Sequence, residues 1–381
     1  MRPLLRRMHS SAQPTEPDWE RIGSVLLIRL RSIGDTVLMT PCLAALKSWR
    51  PELRVTVLIE ELSAPLLQSH PDVDELIVIK RSPGQTANII SRLRLAHRLR
   101  RSNFDLVINL HGGTTASLLS RLTGAPYRAG FAYLPYSFLF NFPIPLPQDV
   151  WGKAEIHCAE QQLATLKWLG VPVDEPAATY LKTDQRAAVA VRERLKAANF
   201  NSDFALIHPA AAFETKRWPE ERFAQIVDYL AEVYRLPSVL VADKTQSQVI
   251  TGISYLAKAR TLGFDNLSLA ELMALTEMSA IFIGNDSGPA HIAAAYKRPM
   301  VVIFGSSNHR VWGPWKNPAS ELVRVDMPCA PCPGYSCEVF GKAECIRRLQ
   351  TDAVKEAIDR VMFNVLRSTF YVRRSALNIE C

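Results

Sequence analysis

Short apolar runs alternate with helix-length segments along almost the whole chain, and this alternation constrains the fold more than any other feature. Ser24 to Leu30, Arg54 to Ile59, Glu75 to Ile79 and Leu106 to Asn109 read as strands, with helices from about Val37 to Trp49 and Ala87 to Arg101. Residues 131–150 are rich in Pro and aromatics and read as an irregular excursion, followed by a helix near Ala154 to Leu169. The Pro-rich passage from Gly170 to Pro176 reads as a linker. The pattern then restarts, with strands at Phe204 to His208, Ser238 to Ala242, Ile281 to Gly284 and Pro299 to Phe304 and a helix from about Glu220 to Tyr234. Strands that alternate with helices build parallel sheets covered by helices. The expectation is an α/β protein of two Rossmann-like domains facing a cleft.

Length and charge bound the function. The 381 residues suffice for two separate cores. A formal charge of +8 points to an anionic partner. No aromatic-rich basic motif of the RNA-binding kind is present, which leaves an anionic membrane surface or an acidic substrate and disfavours nucleic acid. No run approaches the length of a membrane span. The first twenty residues carry Arg2, Arg6 and Arg7 but no apolar core segment, so they read as a mobile tail rather than a secretory signal. The implied compartment is the cytoplasm, where thiols stay reduced.

The sharpest local motif runs from Ile281 to His291. An apolar strand stops at Gly284-Asn285-Asp286, and Pro289 sits where a helix would begin. Pro is at home in a first helical turn because its missing N–H has no partner there. Ser287 and Gly288 would then present bare N–H groups at a helix start, an arrangement that binds phosphate. Upstream, Thr215-Lys216-Arg217-Trp218-Pro219 places two cations before another helix start. Together they suggest a pocket for a nucleotide diphosphate.

With these motifs in order, the chain resembles the heptosyltransferase family of bacterial glycosyltransferases (glycosyltransferase family 9). The resemblance rests on Arg31-Ser32-Ile33-Gly34-Asp35 through Pro41, Thr215 through Phe223, Asn285 through His291, and Phe304-Gly305-Ser306 with Gly313-Pro314. It implies a GT-B fold, with residues 23–175 as an acceptor-side domain and 176–350 as a nucleotide-sugar domain. Residues 1–22 would be a flexible tail, and a C-terminal helix in 351–381 would pack back on the first domain.

The resemblance makes Asp35 the catalytic base that takes the acceptor hydroxyl's proton in an inverting transfer. The competing reading of Asp35 is a helix N-cap. Lys216 would neutralise the departing ADP, or it is a solvated Lys near a helix start. Asp286, Ser287, Gly288, His291, Thr215 and Leu267 join it as donor contacts. His291 is otherwise a partly buried His on a local carbonyl, and Leu267 otherwise a core residue. Trp218 and Pro219 read as structural. Arg31, His111 and Gly112 are assigned to the acceptor, with a plain tight turn as the rival reading at His111-Gly112-Gly113. No cofactor is expected for catalysis. Where relatives carry Gly-Gly and then Glu, this chain has Ala242-Asp243-Lys244-Thr245-Gln246, which bears on the ribose and base contacts.

Two features stand apart. Cys329, Cys332, Cys337 and Cys345 lie in one short stretch and could hold zinc or iron, or pack as free thiols. Arg92, Arg94, Arg98, Arg100 and Arg101 share a helix with Leu93, Leu95 and Leu99. That helix is either a solvated face or one that meets anionic lipid. The expected activity is transfer of heptose from ADP-heptose to the lipopolysaccharide inner core, on the cytoplasmic face of the inner membrane with a peripheral contact. The alternatives are another nucleotide sugar, a protein or O-antigen acceptor, or a non-catalytic sugar-nucleotide binder.

Overall fold

The apolar runs form strands because they are buried on both faces, which a parallel sheet between two helix layers provides. In the computed structural model, which describes residues 16–80, 85–332 and 334–377, there are two six-stranded sheets. The first contains β1 (Ser24–Ile28), β2 (Arg54–Glu60), β3 (Glu75–Ile79), β4 (Leu106–Asn109), β5 (Tyr127–Phe131) and β6 (Phe142–Ile144) in the order β3-β2-β1-β4-β5-β6. The second contains β7 (Ala205–His208), β8 (Ser238–Val241), β9 (Thr261–Phe264), β10 (Ile281–Asn285), β11 (Met300–Ile303) and β12 (Ser320–Val323) in the order β12-β11-β10-β7-β8-β9. Every pairing is parallel. In each sheet the order reverses at the middle, between β1 and β4 and between β7 and β10. Ligands of open α/β sheets bind at such switch points, beyond the carboxyl ends of the strands.

The first sheet is covered by α1 (Ile33–Trp49), α2 (Gln85–Arg101), α3 (Thr114–Leu122), α4 (Pro147–Trp151) and α5 (Cys158–Trp168). The second is covered by α6 (Gln185–Ala197), α7 (Glu220–Tyr234), α8 (Ser247–Leu256), α9 (Leu269–Met278), α10 (Gly288–Ala295) and α11 (His309–Trp312), then α12 (Glu344–Arg347) and α13 (Thr351–Leu377). The excursion after β5 is less irregular than its composition suggests, since it holds a short turn of 3₁₀ helix (Ser137–Leu139), β6 and α4.

The halves meet along α1 and α10. Their first turns are so close that a Cβ on Gly288 would stand 2.9 Å from Ile33 Cβ, and one on Gly34 would stand 2.7 Å from His291 Cδ2. Ile292 and Ala295 of α10 join the same apolar cluster as Val37 and Leu43 of α1. His157 bolts the seam: its Nδ1 accepts from Ala159 N at 3.1 Å, so its Nε2–H donates to Gly313 O across the interface at 2.9 Å.

Two expectations are corrected. Over its described side chains the last helix packs on the second domain and not the first; α13 lies on β11, β12 and α7. Its Val354, Ala357, Ile358 and Val361 fall at helical spacing and enter the core of the second sheet. The expected tail is also shorter than 1–22. Residues 1–15 lie outside the described residues, but Trp19 packs edge-on to Trp49 and donates to Leu169 O at 2.7 Å, and Ile22 is fully buried.

Candidate active site

The carboxyl ends of both sheets open onto a single cavity of about 790 Å³. One wall is the loop after β1 and the start of α1, with Arg31, Ser32, Gly34 and Asp35, and the end of β2 with Glu60. The facing wall is the end of β7, the turn before α7 and the start of α10, with His208, Lys216, Asp286, Ser287, Gly288 and His291. The structure thus brings Asp35 and Arg31 together with six of the expected donor residues, Leu267 among them.

Asp35 lies in the first turn of α1, where a carboxylate is favoured by the helix dipole. It is not the N-cap. That position is Ser32, whose φ of 77° is left-handed and whose side chain makes no cap bond. The turn bends so that Ser32 O accepts from both Thr36 N and Thr36 Oγ1, at 3.1 and 2.7 Å. Asp35 Oδ1 takes Arg29 Nη2 at 2.6 Å and the Cys158 thiol at 3.6 Å. Burial and the adjacent carboxylate push that thiol up, so it is a donor. Among the described residues, Oδ2 has no partner. Arg29 is buried and is itself fixed by donating to Leu110 O at 2.5 Å. Arg31 lies at the rim, its guanidinium mostly exposed, with Nε 3.7 Å from Glu60.

On the facing wall Lys216 is not a lone cation. Its Nζ stands 2.7 Å from Asp286 Oδ2, which also accepts from Ser307 Oγ. Asp286 is nearly fully buried, so this pair is the site's main fixed charge. Ser287 caps α10, yet its hydroxyl is already engaged. It donates to Asn285 O at 3.0 Å and meets His208 Nδ1 at 3.1 Å. What it and Gly288 offer a ligand is their backbone N–H groups, which have no acceptor among the described residues. Burial pushes both His208 and His291 down to about 4, so both imidazoles are neutral near pH 7. Among the described residues, buried His291 Nδ1 has no partner. Beyond these groups the cavity turns apolar along Val241, Ala242, Leu267, Leu269 and Leu272, with Asp243 and Gln246 at its edge.

Thr215 is a correction. It is buried, and its Oγ1 donates to Gly334 O and accepts from Ser306 Oγ at 2.9 Å. It tethers the loop that follows β12 and does not line the cavity. His111 and Gly112 also lie outside the lining. Their amides both donate to Asn109 Oδ1, and Gly112 has a φ of +77°, so this segment is a tight turn. His111 still lies within electrostatic reach of Arg29, Arg31 and Asp35, and burial with the two arginines holds it below the usual histidine range. The four cysteines of the loop are free thiols. Among the described residues no three His, Cys, Asp or Glu gather closely enough to hold a metal, which the expectation of zinc or iron required. Sequence reasoning passed over Arg29, Cys158 and His208. The first and last stand at strand ends on the switch points, and that placement was the available signal.

A parallel pair of Rossmann-like sheets with a carboxylate on one side of the cleft and a helix start on the other defines a GT-B glycosyltransferase. Residues 92–342 match the profile of Glycosyltransferase family 9 (heptosyltransferase), and the chain belongs to that family. Lipopolysaccharide heptosyltransferase 3 of Escherichia coli is 28% identical over 302 residues, covering 76% of this chain and 85% of the relative. Among solved structures, the glycosyl transferase family 9 protein of Veillonella parvula superposes with a TM-score of 0.78 at 20% identity, over 93% of this chain and 100% of that one. The E. coli ADP-heptose lps heptosyltransferase II superposes with a TM-score of 0.74 at 18% identity, over 90% and 99%.

Proposed function

We propose that this glycosyltransferase moves heptose from ADP-heptose to the inner core of lipopolysaccharide with inversion at the anomeric carbon. One observation carries the reading: Asp35 and the bare N-terminus of α10 face each other across one cavity, as a base and a leaving-group site must. The relatives named for lipopolysaccharide and ADP-heptose supply the donor and the acceptor class.

Adenine fits the apolar slot beside Leu267 and Leu272, with Asp243 at hand for ribose hydroxyls. The diphosphate sits on the N–H groups of Ser287 and Gly288, and Lys216 turns from Asp286 towards it. Asp286 then accepts from a heptose hydroxyl, and neutral His291 adds a hydrogen bond. The acceptor hydroxyl gives its proton to Asp35 Oδ2 as its oxygen bonds to the anomeric carbon from the opposite face. The bond from that carbon to the phosphate oxygen breaks, and ADP leaves with the electron pair. Arg29 and Cys158 hold Oδ1 and so aim Oδ2. Arg31, at the rim, meets the acceptor. A lipid-anchored acceptor places the enzyme on the cytoplasmic face of the inner membrane.

The test is calorimetric titration with ADP and UDP, followed by transfer assays. Lys216→Ala should weaken ADP binding about tenfold or more. Asp35→Asn should leave ADP affinity intact while lowering turnover by about 10²- to 10⁴-fold, the usual contribution of a positioned base. Preference for UDP would remove heptose from the reading, and an active Asp35→Asn enzyme would remove the base.

A further inference from the structure

The chain's excess positive charge is not spread over it. Between Lys80 and Gln148 there are nine Lys and Arg against one acid, Asp105, so this stretch carries the whole +8 and the remaining residues balance. It spans α2, β4, α3, β5 and the excursion to β6. Its described surface is also unusually apolar. Leu118 and Leu122, one turn apart on α3, are half exposed, and Leu93 on α2 is 65% exposed. Tyr136 and Phe138 form the tip of the excursion, and Phe138 is 79% exposed. α3 packs on both α2 and the 3₁₀ turn that bears Phe138, so the elements that carry these side chains are neighbours on the surface. Arg94, Arg100, Arg101 and Arg121 are exposed on these helices, while Arg98 is ion-paired with Glu75.

The excursion stands beside the first wall of the cleft, although none of its described residues lines the cavity. Leu134 of the excursion packs against Gly112 at the end of β4. The Tyr133 ring stacks on Phe131 at the end of β5, and its hydroxyl is within electrostatic reach of Cys158, the thiol that touches Asp35. The excursion is therefore anchored on β4 and β5, in the same sheet whose carboxyl end bears Asp35. Among the described residues no helix is long and apolar enough to cross a membrane, whereas aromatic tips ringed by arginine suit insertion into an interface.

We propose that α2, α3 and the Tyr133–Phe138 excursion form the surface by which the protein docks on a bilayer rich in anionic phospholipid, with the cleft mouth held at the headgroup level. The inference rests on the reading that the acceptor is lipid-anchored, and it adds the face, the residues and the lipid charge. Both components are needed. The arginines attract the surface from solution, and Phe138 with Tyr136 sets depth and orientation.

Vesicle flotation of the whole chain tests it, using vesicles of phosphatidylcholine alone and with phosphatidylglycerol. The wild type should partition onto the anionic vesicles and leave them in high salt. Arg94→Gln with Arg101→Gln should weaken partitioning about fivefold per cation removed, the expected share of a cation near such a surface. Tyr136→Ser with Phe138→Ser should weaken it at least tenfold. All four side chains are exposed, so ADP affinity and melting temperature should stay at wild-type values, as should transfer to a delipidated acceptor. Equal binding to neutral vesicles, or unchanged partitioning of both double variants, would overturn the proposal. So would sedimentation showing that the face joins two copies of the chain. Vesicle binding that depends on these residues in a protein that transfers no heptose would refute the proposed donor and leave the docking surface standing.

Discussion

Gly34→Ala puts the contact between α1 and α10 to a quantitative test, because two known effects oppose each other there. Alanine is favoured over glycine by about 1 kcal/mol in a helix interior, and by less in the first turn, where Gly34 lies. Against this, the new Cβ would stand 2.7 Å from His291 Cδ2 and 3.2 Å from its Nε2, well inside the 3.4–4 Å of ordinary contact. His291 is almost fully buried between the halves, and the one side on which its ring can yield is the ligand cavity that it lines. Overpacking of this kind costs about 1–3 kcal/mol. Packing therefore wins, and Gly34→Ala should be net destabilising by about 1–2 kcal/mol in urea unfolding. Because relief pushes the imidazole into the ligand cavity, ADP affinity should fall by a similar free energy, roughly five- to thirtyfold. The decisive comparison is a cycle with His291→Ala. In that background the clash is gone, and Gly34→Ala should become neutral or stabilising. A substitution that costs the same in both backgrounds would refute the argument, since residues in contact must couple.

Arg29→Met removes the guanidinium that aims Asp35 and satisfies Leu110 O. Breaking a buried pair from one side costs about 3 kcal/mol, and turnover should fall about a hundredfold with ADP affinity unchanged; Arg29→Lys should recover part of both. Thr215→Val should lower stability by about 1–3 kcal/mol through two lost buried hydrogen bonds and leave ADP binding alone, whereas weaker ADP binding at full stability would restore Thr215 to the donor site. The two buried histidines predict a pH dependence. Their folded values of about 4 lie below the roughly 6.5 of an unfolded histidine, so the unfolded chain protonates first and stability falls as pH drops from about 6.5 to 4. Each contributes up to about 1.4 kcal/mol per pH unit, and His208→Gln should flatten the urea midpoint over that range; an unaltered slope would show that His208 does not titrate with folding.

The sheets were legible because parallel strands buried on both faces leave continuous apolar runs such as Val25–Ile28 and Ile281–Ile283. Asp35, Asp286 and Gly288 were legible because each sits in a turn just past such a run. What was not legible depended on distant partners. Arg29 looks like the cation that ends a strand, and only folding puts Leu110 O and Asp35 on either side of it. Cys158 is 123 residues from the carboxylate it touches. Thr215 misled because it adjoins Lys216, yet successive side chains on a 3₁₀ turn point about 120° apart, one into the cavity and one into the core. The stripe Val354, Ala357, Ile358 and Val361 announces a buried helix without saying which sheet buries it.

That last helix has a consequence for how the molecule is joined. With α13 kept on the second sheet, the described chain passes between the halves once, through the extended segment after α5, residues 169–184. That segment is itself packed: Val171, Val173 and Leu181 are buried in the core that holds α1, Tyr180 N donates to Thr40, and Thr183 pairs with Tyr296. The geometry of the cleft is then set by the seam of α1 on α10, by His157 on Gly313 and by this segment, which touches both halves. Each half retains a complete sheet with its own helical cover, so two chains divided near Pro176 should reassemble when mixed, and halves from different relatives should be exchangeable wherever that seam is preserved.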